Sequence, residues 1–173
     1  AASDVYKRQG ATPWRTQAIR ELLALKPTIL RGNASEILAL AGAGKGGKGV
    51  DSTDDSRTAL SAAQRLAEET GTVVCVTGPV DYATDGKRTL SIAGGNVMTT
   101  LVVGTGCSLS ALCAAFAAVE KDPVDAAISA CALAKYAAGT AAKHAKGPGS
   151  FHDEYLDALY LAQPEALTVG DAA

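Results

Sequence analysis

Aromatic residues make up only 5% of the 173-residue chain. That leaves little material for a surface that binds single strands by stacking bases. An excess of either charge is also missing: 16 Lys and Arg stand against 18 Asp and Glu, a formal net charge of −2 with a pI of about 5.7. Such a chain projects no strong field toward nucleic acid or an anionic membrane. Long apolar runs are scarce. The longest, Leu109 to Val119, ends at Glu120 and is too short to span a bilayer. No basic-then-apolar leader stands at the start. The four cysteines, at 75, 107, 113 and 131, form no C-x-x-C pair and fit no zinc spacing. Three lie in apolar stretches, where a thiol behaves as a small hydrophobe. This usage points to a reducing, cytoplasmic compartment. With 47% hydrophobic and 20% charged residues, the composition excludes a disordered chain.

What remains is a chain long enough for one domain with a substantial core. Alanine is its commonest residue, which predicts helices packed closely through small side chains. Helical and extended patterns alternate, as in α/β layer folds. Thr12-Pro13 opens a helix with Ala18, Ile19, Leu22 and Leu23 on its apolar face, stopped by Pro27. Thr28-Ile29-Leu30 reads as a short buried strand. Asn33 then caps a helix carrying Ile37, Leu38 and Leu40, with Glu36 as its capping-box partner. Another helix starts at Asp54 or Asp55 and ends at Gly71. Thr72 to Val76 is β-branched and continuously apolar, a strand covered on both faces. Residues 80 to 103 read as short strands with turns at Asp85-Gly86 and Gly94-Gly95. Val102-Val103 reads as a strand feeding a helix that carries Leu109, Leu112, Cys113, Phe116 and Val119. Asp122-Pro123 opens an Ala-rich helix to about Ala142. Ser150 is positioned to cap a last helix with Phe151, Tyr155, Leu156 and Leu159.

The junction Gly104-Thr105-Gly106-Cys107-Ser108 is the most informative segment. Glycines admit a ligand close to the backbone. The first amides of a helix are unpaired, with the positive end of its dipole behind them. Such a corner stabilises a transferring phosphoryl group or an oxyanion, and it lowers the pKa of a thiol such as Cys107. A plain connecting turn is the simpler reading. Arg31 stands at a strand end and Glu36 in the first turn of the next helix, where open α/β sheets bind ligands. Arg31 suits a phosphate and Glu36 suits Mg²⁺ or its waters; an ion pair and a capping box are the alternatives. Thr77, after the Thr72–Val76 strand, offers a hydroxyl to a phosphate or merely a turn. The segment Gly42 to Gly49 nearly spells a P-loop and also contains a G-x-G-x-x-G. Gly49 stands where the P-loop needs a hydroxyl, and the segment lacks the strand before and helix after that both motifs require. It reads as a solvated loop, with a lid over phosphates as the functional alternative. His144 and His152 are isolated and read as surface residues.

Five segments, in order, resemble hydroxyethylthiazole kinases of the ribokinase-like superfamily: KPTILRGNASEILAL (26 to 40), GVDS (49 to 52), VTGPVD (76 to 81), GTGCSLSAL (104 to 112) and GPGSF (147 to 151). The resemblance runs from Gly10 to about Leu161. It implies a three-layer α/β/α sandwich and transfer of phosphate from ATP, with Mg²⁺, to the hydroxyl of 4-methyl-5-(2-hydroxyethyl)thiazole. It further implies that Arg31 and Thr77 contact ATP, that Gly104 lies against the thiazole, and that the amides of Gly104, Thr105, Gly106 and Cys107 form an anion hole. Glu36 becomes the magnesium-linked glutamate. Cys107 stands where many ribokinase-like relatives carry an aspartate base, as is characteristic of the thiazole branch. A homotrimer is implied as well. The competing readings are a kinase for a pyrimidine alcohol or a sugar, a binding remnant without catalysis, and a cysteine hydrolase built on Cys107.

The front departs from the family. Residues 1–9 match nothing in it, and Gly10 to Arg15 resembles the end of a family segment normally preceded by a strand and turn. The expectation is a non-family segment at 1–9 followed by the C-terminal part of a ribokinase-like domain at 10–173. On that reading the chain alone lacks sheet strands and is poorly stable. A noncooperative thermal melt with poorly dispersed amide NMR signals is the expected result, and a cooperative melt with dispersed signals contradicts it.

Overall fold

The computed structural model describes residues 2–4, 13–42, 52–167 and 170–171. Among these, six strands form one sheet in the order of the chain: β1 (Ala2–Asp4), β2 (Ile29–Asn33), β3 (Val73–Thr77), β4 (Val80–Thr84), β5 (Thr89–Ala93) and β6 (Gly170–Asp171). β1, β2 and β3 pair parallel, and β3 to β6 antiparallel. Parallel neighbours need a crossover, which helices provide. α1 (Pro13–Ala24) precedes β2. α2 (Ala34–Leu40) and α3 (Ser52–Thr70) lie between β2 and β3. β4 and β5 form a hairpin, followed by α4 (Thr105–Val119), α5 (Pro123–His144) and α6 (Pro148–Leu161).

Strand alternation sorts the core into two layers. Leu30, Val74 and Val76 pack with Leu23, Ile37, Leu40 and Leu66 of α1 to α3. Ile29, Val73 and Cys75 pack with Leu109 and Cys113 of α4 and with Ile128 and Cys131 of α5. The sheet is therefore covered on both faces, the three-layer sandwich expected from the sequence. Small side chains set the close spacing: Ala59, Ala62, Ala63 and Ala67 bury one face of α3, and Ala126, Ala127 and Ala130 do the same for α5. A third cluster seats Phe151 and Tyr155 of α6 against Ala137, Ala138 and Ala141 of α5, with the two rings stacked at 6.2 Å. The thiols of Cys75 and Cys131 touch at 3.4 Å within the core. A hydrogen bond to Cys75, together with burial, pushes the neighbouring Cys113 thiol far up. These three behave as packing atoms.

Several boundaries differ from the sequence reading, each for a local reason. β2 runs on through Arg31 and Gly32 to Asn33, because backbone pairing with β3 continues to Thr77. Ala2–Asp4 has no strand pattern, yet its backbone pairs with Ile29–Arg31. α3 begins at Ser52, ahead of Asp54. The Thr12 cap and residues 43–51 of the glycine-rich loop lie outside the described residues. Val102-Val103 is a turn and not a strand. Asn96 caps a short 3-10 helix (Val97–Thr100) by accepting from the Met98 amide, and the Thr99 and Thr100 hydroxyls bond back to Asn96 and Val97 carbonyls. These local bonds compete with extension, and β5 already has β4 and β6 as neighbours. Ser150 does not cap α6. It sits inside the first turn, where its hydroxyl accepts the Lys146 amide at 2.9 Å, while Gly147 holds the cap position. Leu22, Val119 and Leu156 point outward rather than into the core.

The predicted Asp85-Gly86 turn closes the hairpin, with Asp85 accepting the Lys87 and Arg88 amides. Gly86 has φ +93°, and a Cβ there would collide with Glu68 Cγ and stand 3.1 Å from α3 backbone atoms. Gly86→Ala is expected to cost about 1–3 kcal/mol through strain and overpacking. Urea unfolding of the chain completed with a family-like N-terminal portion reads this as a lower midpoint at unchanged slope. Gly149→Ala, at an open helical position, serves as the control and is expected to raise stability by up to about 1 kcal/mol.

Candidate active site at the carboxyl ends of β2 and β3

The parallel register sets Arg31 beside Cys75 and Asn33 beside Thr77. Alternation turns Arg31 to the same face as Ile29, Val73 and Cys75, the face covered by α4 and α5. There the guanidinium is buried, 7% exposed, and Nε donates to Ser110 Oγ on α4 at 3.0 Å. Ser110 in turn donates to the Gly106 carbonyl at 3.3 Å. The guanidinium packs under the first turn of α4, so close that a Cβ on Gly106 would stand 3.2 Å from Nη2. Gly104, at φ +102°, holds the cap position of α4, and no side chain caps the helix. A fixed cation and the open, positive end of a helix thus coincide.

Glu36 completes the predicted capping box. Its Oε2 accepts the Asn33 amide at 2.8 Å, and Asn33 Oδ1 accepts the Glu36 amide at 3.0 Å. The box and the cleft are compatible, because the buried carboxylate also lines the cavity. Thr77 Oγ1 donates to the Gly32 carbonyl at 3.4 Å, which ties the ends of β2 and β3 together. All the residues singled out by sequence, Arg31, Glu36, Thr77 and Gly104 to Cys107, line one cleft of about 820 Å³. Cys107 is exposed at its edge. Apolar Val97, Leu101 and Val103 are exposed along the same cleft. The junction before α4 comes from a 3-10 helix and turn and not from a strand, but the anion-facing end is as expected. His144 and His152 are exposed and outside the cleft.

Sequence reasoning missed four lining or supporting residues. Ser110 orients Arg31, and its signal was a hydroxyl on a helix face otherwise set by Leu109 and Cys113. Tyr155 lines the cleft from α6. Burial raises its phenol pKa, opposed by a hydrogen bond with Ser108. Asp81 and Lys135 form a pair at 3.2 Å, with side chains 6% and 10% exposed. Burial raises the Asp81 carboxyl pKa, opposed by the Lys135 charge and the Gly78 amide. The signal for Lys135 was a cation in the alanine-rich middle of α5, away from Lys143 in the last turn.

The donor set tests the expected Mg²⁺. Among the described residues no three His, Cys, Asp or Glu side chains are grouped to hold a metal. Mg²⁺ commonly takes one or two carboxylates, several waters and substrate phosphates, and the buried Glu36 carboxylate, in the same cleft as an anion-facing helix end, fits that pattern. No described helix is long and apolar enough to cross a membrane.

The Hydroxyethylthiazole kinase family matches residues 8–165 of this chain. The chain is 56% identical over 156 residues to a hydroxyethylthiazole kinase of Citrobacter koseri, covering 90% of this chain and 60% of that protein. It is 53% identical over 156 residues to the Leptospira interrogans enzyme of the same name, covering 90% and 59%. Among solved structures, hydroxyethylthiazole kinase from Pyrococcus horikoshii superposes with a TM-score of 0.84 at 36% identity, over 95% of this chain and 62% of that one. Pyridoxal kinase from Staphylococcus aureus in complex with AMP-PCP superposes with a TM-score of 0.59 at 26% identity, over 75% and 48%. The chain spans about 60% of the length of the curated relatives it matches. The fold is the ribokinase-like sandwich, and the GTGC corner, the RGNASE turn and the VTGPVD loop meet in one cleft. By profile, identity and fold, the chain belongs to the hydroxyethylthiazole kinase family.

Proposed function

We propose that the chain forms the nucleotide- and phosphoryl-handling part of a kinase that transfers phosphate from ATP to the hydroxyl of 4-methyl-5-(2-hydroxyethyl)thiazole, in thiamine salvage. The observation that carries this reading is the buried Arg31 guanidinium packed under the uncapped first turn of α4. Phosphoryl transfer needs in-line positioning and neutralisation of charge on the moving group more than covalent help. Arg31 and Thr77 hold the nucleotide phosphates from the strand ends. The backbone amides of Gly104, Thr105, Gly106 and Cys107 face the charge that builds on the transferred group. Gly104 lies against the thiazole, and the apolar side of the cleft at Val97, Leu101 and Val103 suits its ring. Glu36 would hold Mg²⁺, chiefly through water, and the ion would neutralise phosphate charge when bound. Cys107, as its thiolate, takes the proton of the attacking hydroxyl and becomes the thiol. The same exposed apolar side supports assembly as a homotrimer. Four cysteines outside any disulfide support a cytoplasmic setting.

Mass-spectrometric detection of thiazole phosphate after incubation with MgATP tests the proposal. This chain is run beside one completed with a family-like N-terminal portion. Product from the completed chain is expected. A folded completed chain that yields none, while it phosphorylates a pyrimidine alcohol or a sugar or only binds ligand, overturns the thiazole assignment. Arg31→Ala is expected to weaken ATP binding about tenfold to a hundredfold, the worth of a charged hydrogen-bond set. Gly106→Ala, which pushes the guanidinium aside, acts in the same direction and less strongly. Cys107→Asp retains or raises activity, and its inactivity in a folded protein removes the base role.

A further inference from the structure

Lys135 lies in the middle of α5, outside every motif that defines the family resemblance. Its side chain is 10% exposed. The ammonium donates to three backbone carbonyls, Gly78 at 2.9 Å, Pro79 at 3.2 Å and Gly94 at 3.3 Å, and stands 3.2 Å from Asp81 Oδ1. These acceptors come from two separate loops. One follows Thr77 at the end of β3. The other leaves β5 at Gly94-Gly95, where a Cβ on Gly95 would stand 3.4 Å from Lys135 Cγ. Asp81 Oδ1 also accepts the Gly78 amide at 2.8 Å. Gly78 is therefore gripped at both its N–H and its C=O, one residue after the hydroxyl assigned to the nucleotide. Both loops line the cleft.

A surface ion pair is worth little, and a buried pair often contributes less than apolar packing of the same volume. Stability therefore does not account for an ammonium whose acceptors are mostly carbonyls of two cleft loops. A compact ammonium also suits this cage in a way that a planar guanidinium does not. We propose that Lys135, held by Asp81, is a positioning residue that clamps the Thr77–Pro79 and Gly94–Gly95 loops at the spacing the nucleotide side of the cleft requires. The proposal rests on the nucleotide-binding reading given above.

The test uses the chain completed with a family-like N-terminal portion as parent, and measures MgATP binding by calorimetry and amide hydrogen exchange by NMR. Lys135→Met strands a buried carboxylate, so Lys135→Met with Asp81→Asn, which removes the pair together, keeps the test open if the single variant fails to fold. The folded variants are expected to bind MgATP about tenfold or more weakly, the loss of one charged hydrogen-bond set. Exchange should quicken at residues 78, 80, 81 and 94–96 while β2 and α3 stay protected. Methylammonium should restore binding to Lys135→Ala by refilling the cage, and tetramethylammonium should not. Binding within twofold of the parent chain, unchanged exchange at both loops, or equal rescue by both cations overturns the proposal. If the parent chain itself fails to bind MgATP, the nucleotide reading falls. Exchange then decides the clamp alone: quickening confined to the two loops upholds it, and uniform or absent quickening overturns it.

Discussion

Five residues of β2 lie in parallel register against five of β3, from Ile29 beside Val73 to Asn33 beside Thr77. Backbone hydrogen bonds fix that register, and a slip of one residue would turn Arg31 to the opposite face of the sheet. It would then leave Ser110 and the first turn of α4 and enter the apolar layer around Ile37 and Leu66. The register also decides that Asn33 and Thr77 end together, so α2 and the Gly78-Pro79 loop start from the same edge. The cleft is thus a product of strand pairing first and of side-chain chemistry second.

Around that edge the molecule solves one electrostatic problem twice. Arg31 is buried, yet the hydroxyl of Ser110 accepts from its Nε beneath a helix end with no side-chain cap. Lys135 is nearly buried, yet carbonyls and a carboxylate surround it. Both cations are contacted by groups from other elements, as a buried charge requires. The alanines of α5 are part of the same arrangement. Their small side chains bring the helix close enough to the sheet for a lysine stem to reach the loops.

Much of this could be read from the chain. The capping box was visible in Asn33 and Glu36 because its residue types and spacing have one local meaning. The strand at Val73 to Thr77, the Asp85-Gly86 turn and the helix opened by Asp122-Pro123 carried equally local signals. Thr77 and Gly104 to Cys107 were picked out because each lies at an element boundary, and Arg31 because the sequence ends the apolar run of β2 just before it, although the strand continues to Asn33. What escaped was nonlocal. Val102-Val103 has strand composition, but the sheet has no place for it, and only tertiary structure records that. Ala2–Asp4 pairs through backbone, which leaves no side-chain pattern. Ser110, Asp81, Tyr155 and Lys135 sit within elements, and the partners that define the roles of Ser110 and Lys135, Arg31 and the Gly78 carbonyl, lie 79 and 57 residues away.

The four thiols are sorted by this architecture. Cys75, Cys113 and Cys131 are sealed in the layer between the sheet and α4–α5, and Cys107 stands exposed beside the cleft. A thiol reagent therefore acts as a counter of integrity: the folded chain offers it one sulfur, the unfolded chain four. Because the single reachable sulfur borders the cleft, a reporter group attached there would sense whatever enters it, and the loss of one-to-one labelling would announce that the sheet had come away from its helices.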